Sequence, residues 1–459
     1  MERIILNQLE RIVGRDHLFT SPEELRCYSY DATGREFLPE AVALPASSQE
    51  IAAILALANA HRFPVVPRGA GSGMSGGSLP VAGGLVLAMS RLNRILEIDP
   101  ANMIAVVEPG VITGELQAAL KPHQLMYPPD PASLKFCTIG GNAAECAGGP
   151  SAVKYGVTKD YVLGLEVVLP TGEILRTGVR TEKGVVGYDL TRLFVGSEGT
   201  LGIFTRLILR VLPLPERKAT YLLTFPSLAE ATGHVSTILA TGLVPCTLEY
   251  MDRTAIAVVR GQIPFALPQN TAALLLLELD GSVAEVEHQQ AQLLAYLDRE
   301  KIACRQAKSE AEAQEIWQAR RAISPATFTL KPNKISEDVV VPRAKIPELV
   351  GFTEELAREL ALTILTFGHA GDGNIHVNIM LDKTNQEEAR RGEAARERLF
   401  AFVVDLGGTL SGEHGIGITK SRFLPLELSP STLTVMRRLK DLFDPNGILN
   451  PGKVFPGAD

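Results

Sequence analysis

The chain has 459 residues, of which 46% are hydrophobic and 21% charged, and its formal net charge is −7. That length supports two or three domains with a large core. The mild acidity, with no basic run, argues against a nucleic-acid binder. No apolar run approaches the ~20 residues that span a bilayer, and the opening Met1–Gln8 lacks the apolar stretch of a signal peptide. The expectation is a cytoplasmic protein, with any peripheral association on the inner face of the membrane made through a partner. Five cysteines, Cys27, Cys137, Cys146, Cys246 and Cys304, form no CxxC pair. They read as ordinary thiols in a reducing compartment and argue against a chain-borne iron–sulfur cluster.

In chain order, residues 1–37 read as helical, with a helix start at Ser21-Pro22-Glu23-Glu24. Ala41–Pro45 is a short strand, Ile51–His61 an apolar-periodic helix and Phe63–Pro67 the next strand, a β-α-β opening suited to a nucleotide-binding unit. Short strands follow at Gly84–Met89, Ile95–Ile98, Ile104–Gly110, Val162–Leu169, Ile174–Thr177 and Ile203–Leu212, with a helix over Val111–Leu120. Pro213-Leu214-Pro215-Glu216 is the best domain boundary, because paired prolines stiffen linkers and stop sheets. Beyond it, strands are expected at Ala219–Thr224, Ala273–Leu279, Val339–Val341, Leu362–Gly368 and Ile375–Met380. Helices are expected at Leu228–Thr241, Val283–Lys301, Ala311–Ser324, Ala344–Glu359 and Gln386–Leu406. This half is an α+β domain with an antiparallel sheet.

The loop Pro67–Ser78 contains a GxGxxG at Gly71, Gly73 and Gly76. A dinucleotide fingerprint of the Rossmann type must open a helix, and Pro80 and Gly83-Gly84 leave no room for one. What remains is a glycine-rich nest whose N–H groups can wrap an anion. Pro129–Ser133, Cys137–Gly149 and Val195–Ile203 add further glycine, serine and threonine, residues that let backbone approach a large planar ligand.

The segments Phe367–Asn378 and Ser411–Gly415 hold His369, His376, His414 and Glu413 on glycine-rich backbone. A hairpin folded at Asp372-Gly373 brings His369 close to His376, and the period of two puts His376 and Asn378 on one face. Two imidazoles and one carboxylate leave an open metal position, as a catalytic site requires, and Glu413 can supply the carboxylate with His414 beside it. Asp372 shapes the turn rather than binding metal.

These segments, with Asn450-Pro451-Gly452-Lys453, resemble the FAD-linked oxidases of the vanillyl-alcohol-oxidase or PCMH-type fold, in the branch that holds a glycolate oxidase subunit and D-lactate dehydrogenase. The resemblance covers nearly the whole chain. It implies a PCMH-type FAD-binding domain of two α/β subdomains over 38–215, after the N-terminal segment 1–37. An α+β substrate or cap domain over 216–425 and a C-terminal segment, 426–459, returning to the FAD-binding domain would complete the chain. Arg68, Gly69, Ala70, Gly71, Ser72, Gly73, Met74, Gly76, Gly77 and Ser78 would hold the FAD pyrophosphate. Pro131, Ala132, Ser133, Thr138, Gly140, Gly141, Asn142, Ala144, Gly148 and Gly149 would line the flavin and ribityl chain. Gly196, Glu198, Gly199, Gly202, Ile203 and Asn450 would help hold the dinucleotide. No His or Cys lies between Arg68 and Ser78, so the FAD is expected to be non-covalent.

By the same resemblance His369, His376 and Glu413 bind a divalent ion, zinc or else manganese or iron. Asn378 contacts the substrate oxygen or the flavin edge, His414 is the general base and Arg320 clamps the substrate carboxylate. Ser324 lies one helical turn later, and Lys334 is near a lysine position of the family but out of register. The implied activity is oxidation of glycolate, D-lactate or a related D-2-hydroxy acid, with metal-assisted proton abstraction and hydride transfer to the flavin. Electrons would pass to an iron–sulfur subunit, an electron-transfer flavoprotein or a quinone-linked complex. Two other readings are a flavin-bearing electron-transfer subunit with no substrate site of its own and an alkyl-glycerone-phosphate synthase. Against them stand the His/His/Glu/His set for the first, and the short N-terminal part for the second.

Overall fold

The computed structural model describes residues 1–263 and 265–457. The chain divides into two compact units. The first is Met1–Gly148, Val157–Leu214 and the chain from Glu413 onward; the second is Gly149–Gly156 and Pro215–Gly412.

The first unit contains a four-stranded sheet in the order Leu18–Phe19, Ala41–Ala43, Leu85–Ala88, Val65–Arg68, whose last three strands are parallel. Parallel neighbours need a crossover, and the helix Ser48–His61 provides one. Ser47 caps it by accepting from the Glu50 N–H, and Arg62 ends it in the left-handed region. Its buried face, Ile51, Ile54, Leu55 and Ala58, packs with Val65, Leu85 and Leu87 and with Ile448 and Leu449 near the C-terminus. Leu449 also bridges Val65 in parallel, so the end of the chain is built into this core. A five-stranded antiparallel sheet follows, in the order Ile95–Asp99, Ile104–Val107, Ile203–Arg210, Val162–Val168, Ile174–Gly178.

The stretch read as helical to Phe37 is α-helical only over Arg3–Val13 and Pro22–Arg26. Beyond Cys27 the backbone turns instead. Asp31 Oδ1 accepts from the Thr33 N–H at 2.9 Å, and Gly34 takes a positive φ. Such local side-chain bonds compete with helix.

The second unit is a seven-stranded antiparallel sheet. Its order is Ala303–Gln306, Arg217–Phe225, Ala273–Gly281, Thr247–Asp252, Thr363–His369, Asn374–Leu381, Asn333–Val340. Arg253–Val259 and Glu310–Ala326 cover one face, where Ala255, Ile256, Ile316 and Ile323 meet Leu222, Met251, Leu274, Leu276, Leu365 and Phe367. Leu228–Ala240, Val283–Glu300, Ile346–Glu359 and Gln386–Asp405 form the second helical layer. Ser227, Ser282, Ser309 and Asn385 each cap one of these long helices by accepting an N–H from its first turn. The sequence reading missed the strand Thr247–Asp252, the helix Arg253–Val259 that follows it and the edge strand Ala303–Gln306. The expected strand Val339–Val341 is instead the longer Asn333–Val340. Among the described residues no helix is long and apolar enough to cross a membrane.

Candidate functional site

In the first unit a cavity of about 240 Å³ is walled by the three glycine-rich segments. Arg68, Gly69, Ala70, Gly71, Ser72, Gly73, Met74, Gly77 and Ser78 line it from one segment. Pro131, Ala132, Ser133, Thr138, Gly140, Gly141, Asn142 and Ala144 come from the second, and Glu198, Gly199, Gly202 and Ile203 from the third. Glu413 and His414 also line it, as do Pro67, Cys137, Glu145 and Ala147 from the same segments, and Met89, Pro109 and Phe204, which the sequence reading had not singled out for this role.

Five other candidate residues are not among those that line it. Gly76 has a positive φ and backs onto Ile418. Gly148 lies behind Glu413, and the Gly196 N–H donates to the Ala143 carbonyl at 2.9 Å. Asn450 Nδ2 donates to the carbonyls of Gly77 at 2.8 Å and Glu198 at 2.7 Å, tying two segments together. Gly149 belongs to the second unit.

The segment from Gly69 to Leu85 contains no helix, in line with rejecting the Rossmann reading. From Ala70 to Ser78 no backbone N–H donates to an acceptor among the described residues. A run of unpaired donors along a cavity wall fits a diphosphate, which would satisfy them. Arg68 backs this wall from a buried position, donating to the Tyr30 carbonyl at 2.7 Å and to Ser78 Oγ at 3.3 Å. Glu198 is buried and accepts from the N–H groups of Ile416 at 2.8 Å and Gly417 at 2.7 Å. Those bonds fix the loop that follows His414. Burial raises the Glu198 pKa against their pull.

In the second unit one sheet face carries a polar constellation. Asn374–Leu381 pairs with Thr363–His369 through the tight turn Ala370–Gly373, where Gly373 has φ +90 and its Cα faces the Val341 carbonyl too closely for a Cβ. Asp372 Oδ1 accepts from the Asn374 N–H at 3.1 Å and shapes that turn. The hairpin sets the His369 and His376 rings 5.1 Å apart, edge to face at 82°.

Tyr250 faces Gly368 across the neighbouring strand pair, which places Glu249 beside His369. Glu249 Oε1 is 2.5 Å from His369 Nδ1, and Glu249 Oε2 is 2.5 Å from Arg320 Nη2. Arg320 reaches this point from the Glu310–Ala326 helix, and its guanidinium lies 4.8 Å from the Phe367 ring centre. Burial pushes the Glu249 carboxyl up, but the Arg320 charge and both imidazoles outweigh it and hold it at about 2. The carboxylate is therefore ionised at neutral pH.

Asn378 lies fully buried opposite Ser336, whose hydroxyl donates to Asn378 Oδ1 at 2.7 Å. Its Nδ2 is buried and has no hydrogen-bond partner among the described residues. Lys334, although out of register in sequence, donates to Ser324 Oγ at 2.8 Å and to the Ser324 carbonyl at 3.1 Å. Burial lowers its pKa to about 8. Asp338, opposite His376, accepts from the Gly412 N–H at 3.0 Å and lies 3.2 Å from Ser411 Oγ, pinning the chain just before Glu413.

Residues 39–178 match the FAD binding domain family, and residues 214–454 match the family of FAD linked oxidases, C-terminal domain. The chain belongs to the FAD-linked oxidase family. It is 43% identical over 453 residues to the glycolate oxidase subunit GlcD of Bacillus subtilis (strain 168), covering 98% of this chain and 96% of that protein. It is 35% identical over 427 residues to the D-lactate dehydrogenase of Anaerostipes hadrus, covering 91% and 89%. The solved structure of p-cresol methylhydroxylase with substrate bound superposes with a TM-score of 0.83 at 17% identity, over 98% of this chain and 96% of that one. That likeness confirms the PCMH-type α+β fold of this FAD-linked oxidase.

Sequence reasoning missed Glu249, Ser336 and Asp338 as members of the constellation. The signal for Glu249 was present: a carboxylate between Leu248 and Tyr250 in the run Thr247-Leu248-Glu249-Tyr250-Met251-Asp252, a strand every residue of which is buried.

Proposed function

We propose that this FAD-linked oxidase is a dehydrogenase of small 2-hydroxy acids, acting on glycolate, D-lactate or a related D-2-hydroxy acid and yielding the 2-oxo acid. The observation that carries this reading is the anchored pair Arg320 and His369, held by one buried carboxylate on the sheet face that also presents His376 and the unpartnered Nδ2 of Asn378. The names of the relatives, glycolate oxidase subunit and D-lactate dehydrogenase, point to the same substrate class. Residues 38–215 and 426–459 are assigned to FAD binding and 216–425 to the substrate.

His369, His376 and Glu413 hold a divalent ion, zinc or else manganese or iron. His369 fits this role because its Nδ1–H donates to Glu249 Oε1, which leaves the Nε2 lone pair for an ion. Glu413 follows directly on Gly412, which Asp338 holds to the sheet. Bound FAD supplies the hydride acceptor, and the ion supplies Lewis acidity at the 2-hydroxyl. Arg320 binds the substrate carboxylate through a planar guanidinium suited to bidentate contact. Asn378 Nδ2 donates to a substrate oxygen. His414 accepts the hydroxyl proton, a task suited to imidazole near neutral pH. FAD is held without a covalent bond, and electrons leave to a partner protein, an iron–sulfur subunit or an electron-transfer flavoprotein. The protein acts in the cytoplasm, with any membrane association made through that partner.

An anaerobic visible spectrum tests this reading. Glycolate or D-lactate should bleach the flavin band, L-lactate should not, and chelator or His414→Ala should abolish the bleaching. A flavin band that no hydroxy acid bleaches would favour an electron-transfer subunit.

A further inference from the structure

Glu249 has a geometry that the roles above do not use. It lies fully buried in the middle of the sheet, and its two carboxylate oxygens are each committed to a different functional side chain, Oε1 to His369 Nδ1 and Oε2 to Arg320 Nη2, both at 2.5 Å. A carboxylate can only accept. The proton on that side of His369 therefore sits on Nδ1, and the lone pair sits on Nε2. Arg320 is fixed at the same time, with the Phe367 ring against its guanidinium. Its Nε is buried and has no hydrogen-bond partner among the described residues, so the ion pair with Glu249 is the polar contact they show for it.

We propose that Glu249 is a positioning residue shared by two subsites: one carboxylate sets the tautomer of an ion-binding imidazole and the orientation of the arginine that receives the substrate carboxylate. This rests on the roles given to His369 and Arg320 above. Its consequence is coupling. Loss of the Glu249 charge weakens ion binding and carboxylate binding together, whereas loss of Arg320 weakens only the second. In Glu249→Gln the amide keeps the volume but offers one acceptor and one donor. If its oxygen faces His369, its NH2 faces the Arg320 donors. If it turns round, the NH2 drives the His369 proton to Nε2.

The test uses the FAD-loaded protein, stripped of metal by chelator and then titrated with Zn²⁺ against a chelating dye. Binding of oxalate, a non-reacting dicarboxylate, is followed by perturbation of the flavin spectrum. Glu249→Gln should weaken Zn²⁺ binding by about 10- to 100-fold and weaken oxalate as well. Arg320→Met should weaken oxalate and leave Zn²⁺ unchanged. Glu249→Asp, which retains the charge, should recover part of both. A folded Glu249→Gln protein with wild-type Zn²⁺ affinity overturns the proposal.

A measurement on the metal-free wild type guards against variants that fail to fold. In ¹⁵N-histidine-labelled protein the His369 ring, assigned by its loss in His369→Gln, should carry its proton on Nδ1; a proton on Nε2 overturns the proposal whatever the ion titration gives. Wild-type protein that binds no Zn²⁺, manganese or iron ion, yet shows the Nδ1 proton, removes the metal reading and keeps Glu249 as the anchor.

Discussion

Ser336 donates to Asn378 Oδ1 at 2.7 Å across two neighbouring strands, and this leaves Asn378 Nδ2, fully buried, as a donor with no acceptor among the described residues. The serine thereby decides which way the amide points. Removing the Nδ2 donor, as in Asn378→Leu, should cost about 2 kcal/mol, roughly thirty-fold in kcat/KM. Ser336→Ala frees the amide to flip and should cost only a few-fold. Steady-state kinetics on D-lactate or glycolate check both, and equal losses in the two variants would refute the ordering.

Asp338 holds the chain at Ser411 and Gly412 from a fully buried position. Hydrogen bonds to a charged acceptor contribute about 1.5–3 kcal/mol. Asp338→Ala removes the carboxylate contacts to Ser411 and Gly412, leaving the Gly412 N–H only its bond to the Asp338 carbonyl at 2.9 Å, and should lower the thermal midpoint by a few degrees, while Asp338→Asn, which keeps one acceptor oxygen, should lower it less. Calorimetry of the two variants distinguishes them, and equal midpoints for wild type and Asp338→Ala would remove the anchor role.

Burial raises the Asp252 carboxyl to about 6 from 3.8, against hydrogen bonds from Ala255 and Thr366 that pull it down. The folded carboxyl thus holds its proton more tightly than the unfolded one. Its contribution to stability is complete below pH 3.8 and is lost as pH rises through about 6. A shift of this size corresponds to roughly 3 kcal/mol. Asp252→Asn, which resembles the neutral acid, should show a flatter dependence of the urea midpoint between pH 4 and 7. A wild-type slope in that variant would count against a raised carboxyl.

Lys334 shares the Ser324 hydroxyl and carbonyl, and burial lowers its pKa to about 8. Below that pH it adds a cation to the face on which Arg320 lies, and above it the charge is lost. The KM for a carboxylate substrate should therefore rise as pH passes about 8. Lys334→Met should show the raised KM already at neutral pH and lose that inflection. An inflection that survives in the variant belongs to another group.

Gly71 takes φ +68, and a Cβ there would fall 2.2 Å from Arg68 Nη2. Gly71→Ala should release FAD on gel filtration with little change in far-ultraviolet circular dichroism, because the strain falls on the loop rather than on either sheet. Full retention of flavin would place the cofactor elsewhere.

The local part of this architecture was readable from the chain. A period of two in Ile375–Met380, with Asp372-Gly373 before it, determined the hairpin that sets His369 against His376. Pro80 and Gly83-Gly84 ruled out a helix after the first glycine loop, because breakers act over a few residues. The α+β class and the long helices of the second half were read from the chain as well. The N-terminal stretch misled, since Asp31 and Gly34 turn a chain whose composition reads as helix.

The partners of the functional side chains were decided by tertiary structure. Glu249 meets His369 because Thr247–Asp252 inserts next to Thr363–His369 in the sheet, across more than a hundred residues of sequence. Asp338 likewise reaches Gly412, 74 residues away in sequence. Strand order is set by which apolar faces bury together over the whole sheet, not by any window of sequence. The charge state of a buried group such as Glu249 or Asp252 then depends on neighbours that only this order supplies.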